Sequence, residues 1–231
     1  MRVRWIAAAL TLALCFSLAA CGHPPVSEEQ EEELPTLRIG SDDYEPYSYL
    51  DETGDFTGID VDLAREACRR LGYRPEFHQV VWENKDQELA AGNIDCLWGS
   101  FTMTGRKDLY QWAGPYLYSR QMVLVQADSD IATLADLAGK RVAVQATSKP
   151  ETVFLERPEP ERVPKVGEVY CFSSMEEVYS AIRKGFVDAI AGHEGAMRTF
   201  MEDSPGSWRI LDQSLMVSGL GVAFPKGTNE S

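Results

Sequence analysis

From Leu37 onward, short apolar runs of strand length alternate with segments of helical period, and this alternation restricts the chain to an α/β architecture with largely parallel sheets. "LRIG" opens the series. Asp60 to Leu71 follows as an amphipathic helix, with Leu63, Ala64, Ala67, Cys68 and Leu71 on one face and Gly72 at the C-cap position. "EFHQVV" reads as a strand, "QELAAG" as the end of a short helix and "IDCLW" as another strand. A second series runs "MVLVQ", the short helix "LADLAG", "RVAVQ", a helix from Lys149, "EVYCF", a helix from Met175, "VDAIA" and a helix past Glu194.

Two segments of this series resemble each other. "AAGNIDCLWGS" and "RKGFVDAIAGH" share a helix end, Gly, an apolar residue, Asp, an apolar strand, Gly and a polar residue, with Ser100 and His193 at the same offset. The likeness predicts two lobes of similar topology, each offering a loop at the carboxyl end of an equivalent strand, where open α/β sheets bind ligands. "GPYLYSRQMVLV" carries Pro115 and reads as extended chain that crosses between the lobes. "SGLGVAFPKG" reads as the return crossing, so two strands form a hinge.

The N-terminus addresses the chain rather than folding it. Arg2 and Arg4 precede an apolar run too short for a spanning helix, and "LAAC" follows, so residues 1–20 read as an export signal. Leu18-Ala19-Ala20-Cys21 resembles the lipobox of bacterial lipoproteins, which makes Cys21 the lipidated first residue of the mature chain. Residues 21–36, rich in Pro and Glu, cannot bury enough surface to fold and read as a flexible tether. The formal charge of −14 disfavours nucleic acid as a partner. Cys68, Cys96 and Cys171 remain in the folded body with no metal-ligand spacing; each sits in an apolar segment and reads as a buried free thiol, a Cys68–Cys96 disulfide being the alternative.

Four loops follow four of the expected strands: 41–47, 99–106, 145–151 and 192–194. Arg106 offers a planar guanidinium suited to a carboxylate, with Ser100 and Thr102 adding hydroxyl and backbone donors. "SKPE", from Ser148, is a capping box with Pro150 in the first turn, so a helix N-terminus leaves a strand end where an anion is favoured. Ser174 to Glu177 is a second box that starts a helix and nothing more. Tyr44 and Tyr47 either pack under their loop or face a ligand, and Asp42, Asp43 and Glu45 beside them lean toward a cationic or polar ligand side chain or form a solvated acidic rim. Trp82 and Trp98, both in strand-like runs, read as core. No Gly-x-Ser-x-Gly elbow, Gly-rich phosphate loop, His-Glu-x-x-His or cysteine pair occurs, so neither catalysis, a cofactor nor a metal is expected.

Seven blocks, among them "LRIGSDDYEPYSY", "FTGIDVDLAREACRRLGY", "GNIDCLWGSFTMTGR" and "GVAFPKGT", resemble the polar amino-acid substrate-binding proteins of ABC importers, in order, over nearly all of 37–228. The resemblance implies a two-lobed periplasmic-binding-protein fold: lobe I over 37–118, lobe II over 119–213, and a return to lobe I over 214–231. It implies that Arg106, reached one residue sooner than usual, pairs with a ligand α-carboxylate and that Ser100 and Thr102 contact ligand. Tyr44 matches the stacking aromatic, while Gln145 and Ser148 match the second-lobe loop. Asp43 completes the first-lobe candidates. Where many members carry an Asp for the ligand α-ammonium, this chain has His193 followed by Glu194, and His193 is favoured as a neutral acceptor. The family also continues past "FPKG" into a C-terminal helix, whose absence would leave first-lobe apolar surface uncovered. The implied role is a lipid-anchored, monomeric receptor that delivers an amino acid to a membrane permease. The alternatives are a cyclohexadienyl or arogenate dehydratase on the same fold, with Glu194 as its acid, and a ligand-sensing module.

Overall fold

The computed structural model describes residues 34–227, so the export signal, Cys21 and most of the acidic tether lie outside the described residues. The described chain begins with β1 (Thr36–Ser41), the small ribbon β2 (Tyr49–Leu50) and β3 (Phe56–Thr57), α1 (Ile59–Leu71) and β4 (Arg74–Gln79). A 3-10 turn at Trp82–Asn84 leads into α2 (Lys85–Ala90), β5 (Cys96–Leu97) and the long β6 (Gln111–Gln126). After a second 3-10 turn at Leu134–Leu137 come β7 (Arg141–Gln145), α3 (Lys149–Glu156), β8 (Glu168–Phe172), α4 (Met175–Arg183) and β9 (Ala189–His193). α5 (Glu194–Glu202), β10 (Trp208–Ile210) and β11 (Met216–Phe224) complete it.

The main sheet has the order β4-β1-β5-β11-β6-β9-β7-β8, with β10 beside β6. Each side is parallel: β1 pairs with β4 and β5, and β7 pairs with β8 and β9. Between them β6 and β11 run antiparallel along most of their length, from Met216 opposite Gln121 to Phe224 opposite Gln111. These two strands belong to both lobes and are the hinge of a two-lobed mixed α/β fold. The register slips between Leu220 and Val222.

Both lobes have their own core. Val123, Leu134, Val142, Val144 and Leu211 fill one face of the second-lobe sheet, and Ile182, Ile190, Met197 and Phe200 the other. In the first lobe Trp82, Leu89, Ile94 and Phe101 form one cluster, and Ile39, Ala64, Cys68 and Cys96 a second. Tyr44 and Tyr47 leave the first lobe to pack into the second-lobe cluster, which ties the two halves together. An apolar groove lined by Leu37, Cys68, Trp98, Val222 and Phe224 runs along the first lobe.

Three expectations are corrected. The inward face of α1 is Asp60, Val61, Ala64 and Cys68, whereas Leu63 and Leu71 are exposed, because Asp60 is drawn inward to hold a loop. Cys171 is exposed because β8 is an edge strand, while Cys68 and Cys96 are buried free thiols with no disulfide between them. Trp82 lies in a 3-10 turn rather than a strand; it is buried as expected, yet one side of it lines the site described next.

Candidate functional site

The carboxyl ends of β1, β5, β7 and β9 meet at a narrow cleft between the lobes. After β1 the chain supplies Asp42 and Tyr44; after β5, Gly99, Ser100, Thr102 and Arg106; at the end of β7, Gln145, and beyond it Ser148 and Lys149; and at the end of β9, His193. Local sequence explains why these loops leave the sheet. Gly99 passes so close to β1 that a Cβ there would lie 2.2 Å from Ser41 Oγ. Ser100 adopts a left-handed φ of 46°, and its N–H is held by the buried Asp60 carboxylate. Thr147, opposite, has φ 57°, while Ser148 caps α3 by accepting the Glu151 N–H at 3.4 Å. Left-handed non-glycine residues on both walls are strain kept where surrounding contacts over-determine the backbone.

Arg106 crosses the cleft. Its guanidinium donates to the Thr147 carbonyl at 2.7 Å and the Thr102 carbonyl at 3.3 Å, and lies 5.0 Å above the Phe101 ring centre. Its polar partners are thus neutral carbonyls, and burial lowers its pKa from the ordinary arginine value. Lys85, almost fully buried, donates to Thr147 Oγ1 at 3.0 Å from the first lobe. Asp42 accepts a 2.7 Å hydrogen bond from Gln145 Nε2 across the same gap. Burial pushes the Asp42 carboxyl up to about 6, against the opposing pull of the Gln145 hydrogen bond.

His193 is buried, and its ring is occupied by protein. Nδ1 lies 3.0 Å from Ser119 Oγ and Nε2 lies 2.9 Å from Gln121 Nε2, while the His193 N–H donates to the Tyr44 hydroxyl at 3.1 Å. Burial lowers its pKa to about 4, so the imidazole is neutral at physiological pH. Glu194 does not line the cleft: Arg120 and Arg198 hold its carboxylate at 2.7 and 2.6 Å on the outer surface. Asp43 is exposed and also outside the lining, its neighbour Asp42 taking the inward position. The other sequence candidates, Tyr44, Ser100, Thr102, Arg106, Gln145, Ser148 and His193, line one cleft.

Sequence reasoning missed Asp42 as the inward acid, together with Trp82, Lys85, Gln121 and Lys149. One-residue alternation after a strand end was the available signal for Asp42 over Asp43. Lys85 opens α2 and Gln121 sits inside β6, where periodicity gives no hint that a polar side chain turns toward the other lobe or the cleft.

Two lobes, a two-strand hinge and a polar cleft at converging strand ends define a ligand-binding protein of the periplasmic type. The chain belongs to the bacterial extracellular solute-binding proteins, family 3, which it matches over residues 37–230. It is 28% identical to a histidine-binding periplasmic protein of Salmonella typhimurium, over 97% of this chain and 86% of that one. It is equally 28% identical to the lysine/arginine/ornithine-binding periplasmic protein of Escherichia coli, over 96% of this chain and 85% of the other. Among solved structures, an ancestral arginine-binding protein bound to arginine superimposes with a TM-score of 0.76 at 28% identity, over 84% of this chain and 85% of that one.

Proposed function

We propose that the protein is the extracytoplasmic binding component of an ABC importer and closes its lobes around an α-amino acid. The observation that carries this reading is the Arg106 guanidinium, presented to the cleft on neutral carbonyls and facing a polar second-lobe wall of Gln145, Ser148 and His193. A bound α-carboxylate replaces the Thr147 carbonyl on the guanidinium with a bidentate charged partner. The ligand ammonium goes to Asp42, the carboxylate among the lining residues, because both His193 ring nitrogens already face Ser119 and Gln121. Tyr44, Ser100, Thr102, Gln145 and Ser148 complete the contacts. Ligand that bridges the lobes shifts the hinge population toward the closed form. The relatives' recorded ligands, histidine, arginine and lysine, support an amino acid as the ligand class.

The binding role is favoured over a dehydratase because Glu194, the second-lobe acid that such an enzyme would use, is held outside the cleft by two arginines. A thermal-shift screen of the standard amino acids with cystine and ornithine tests the proposal, since a ligand of the native state raises the unfolding temperature by mass action. Stabilisation by at least one amino acid is the expected result; none, together with turnover of prephenate or arogenate, overturns it. We propose further that lobe I spans 37–118, lobe II 119–213 and the return 214–231, and that the mature protein is a monomer lipid-anchored through Cys21, engaging permease subunits at the membrane. Cys21→Ala is expected to release the protein into the soluble fraction, because the anchor supplies the acyl chains that hold it. Retention of this variant on membranes sinks the anchor.

A further inference from the structure

The ionisable groups at the cleft do not balance. Asp42 stands as the carboxylate of the lining, while two cations, Arg106 and Lys149, line the same cleft and a third, Lys85, reaches the Thr147 hydroxyl beside it. Lys149 opens α3, lines the cleft and reaches over the Arg106 loop: its Nζ lies 2.8 Å from where a Cβ on Gly105 would stand. It makes no ion pair among the described residues, and both burial and Arg106 lower its pKa. Arg106 likewise makes no ion pair among the described residues and rests on two carbonyls and the Phe101 ring. Lys85 has Asp86 at 3.7 Å, but that carboxylate is turned to solvent and accepts the Tyr110 hydroxyl. Glu151, the other nearby acid, accepts the Thr147 N–H at 2.7 Å.

One α-carboxylate neutralises one of these cations. The positive side of the cleft is therefore built for more negative charge than a neutral or basic amino acid brings, and the α3 N-terminus, where Lys149 sits, adds to it. We propose that the cleft selects an amino acid with a second acidic group: the α-carboxylate on Arg106, the side-chain acid on Lys149 and the ammonium on Asp42. The proposal rests on the amino-acid reading above and adds a charge class to it. It also reverses the lean toward a cationic side chain drawn from Asp42, Asp43 and Glu45, of which Asp43 and Glu45 are exposed and Asp42 is assigned to the ammonium.

Calorimetry with the purified protein decides it, using L-glutamate and L-aspartate against L-glutamine, L-asparagine, L-arginine and L-histidine. The better acid is expected to bind at least roughly tenfold more tightly than its own amide, the scale of one added charge pair at a partly buried site. Lys149→Met is expected to bring acid and amide within about threefold of each other, mainly by weakening the acid, a loss that a merely structural lysine would spread over both ligands. An amide or basic amino acid that binds as tightly as the acids overturns the charge class while leaving the amino-acid reading intact. An unchanged acid-to-amide ratio in Lys149→Met overturns the assignment of Lys149. Binding of none of the six overturns the charge class, and the wider thermal-shift screen then decides whether the amino-acid reading falls with it.

Discussion

At the scale of single residues, the cleft sorts its polar groups by what they can still accept. Arg106 is a charge solvated by carbonyl dipoles, a state that a carboxylate improves and an alanine abolishes. Arg106→Ala is expected to weaken the ligand found in the screen by roughly a hundredfold or more, because truncating a buried charge partner typically removes about 2–5 kcal/mol of binding. Arg106→Lys should also bind poorly, since an ammonium cannot reproduce the fork. A loss under threefold by calorimetry in Arg106→Ala would make the arginine a bystander. Asp42 and His193 are both moved by burial, in opposite directions on the pH axis. The Asp42 carboxyl titrates near 6 and the His193 imidazole near 4. A cationic ligand group needs Asp42 ionised, so affinity should fall as pH drops through about 6 and be roughly tenfold weaker at pH 5 than at pH 7, one pH unit below the pKa being a factor of ten in the ionised fraction. His193 stays neutral across that window, so the pH dependence belongs to Asp42. Asp42→Asn should bind weakly with a flat profile from pH 7.5 to 5. A wild-type profile equally flat would remove Asp42 from the ammonium. Linkage to folding has the opposite sense for the two groups. The raised Asp42 pKa favours the folded state as pH falls from 6 toward 3.8, and the depressed His193 pKa disfavours it as pH falls from 6.5 toward 4.

At the scale of elements, the sequence repeat is a structural repeat. Asp95, before β5, accepts the backbone N–H and the guanidinium of Arg38 on β1, the closest contacts being 2.8 and 2.5 Å. Asp188, before β9, does the same for Arg141 on β7 at 2.8 and 2.7 Å. Gly92 and Gly185 precede them with φ of 70° and 67°. The shared Gly-x-x-Asp therefore encodes one βαβ joint used twice, which is why Ser100 and His193 arrive at corresponding places on facing walls. This was legible because the joint is local: helix end, left-handed glycine, acid and strand lie within a dozen residues. Asp60 was not legible, because its purpose is set forty residues away, and the helical pattern that favours Leu63 gives no sign that α1 rotates to bury an acid. The crossing at "GPYLYSRQMVLV" was legible as extended chain, and it lies within the single strand β6. The Asp60 contact predicts a separable effect. Asp60→Ala leaves the Ser100 N–H without its acceptor in a buried left-handed turn and should cost about 1–3 kcal/mol of stability, read from the denaturant midpoint. Asp60→Asn keeps an acceptor and relieves a carboxyl that burial has raised to about 6, so it should retain most of that stability at pH 7. Equal losses in both variants would mean that the charge rather than the acceptor matters.

At the scale of the whole molecule, the lobes touch through contacts that a ligand must replace or join: Arg106 on the Thr147 carbonyl, Lys85 on the Thr147 hydroxyl and Asp42 on the Gln145 amide. Two of the three converge on one residue, so Thr147 is the point where the lobes are fastened to each other. The hydroxyl contact can be removed without changing side-chain shape. Thr147→Val keeps the β-branched outline and the carbonyl that Arg106 uses, but leaves the buried Lys85 ammonium facing a methyl group. A hydrogen bond to a charged group contributes about 1.5–3 kcal/mol, enough to move an open–closed equilibrium by roughly ten- to a hundredfold. The lysine can recover its hydration only if the lobes part, and β6 and β11, with the register slip between Leu220 and Val222, supply the hinge on which they part. The ligand-free Thr147→Val protein is therefore expected to show a larger radius of gyration by small-angle X-ray scattering than the wild type, and the screened ligand should bring it back toward the wild-type value. Thr147→Ser, which keeps the hydroxyl, should stay with the wild type. If Thr147→Val and wild type give the same ligand-free radius, the Lys85 contact does not hold the lobes together and the closed form rests on Tyr44 and Tyr47 packed into the second-lobe core.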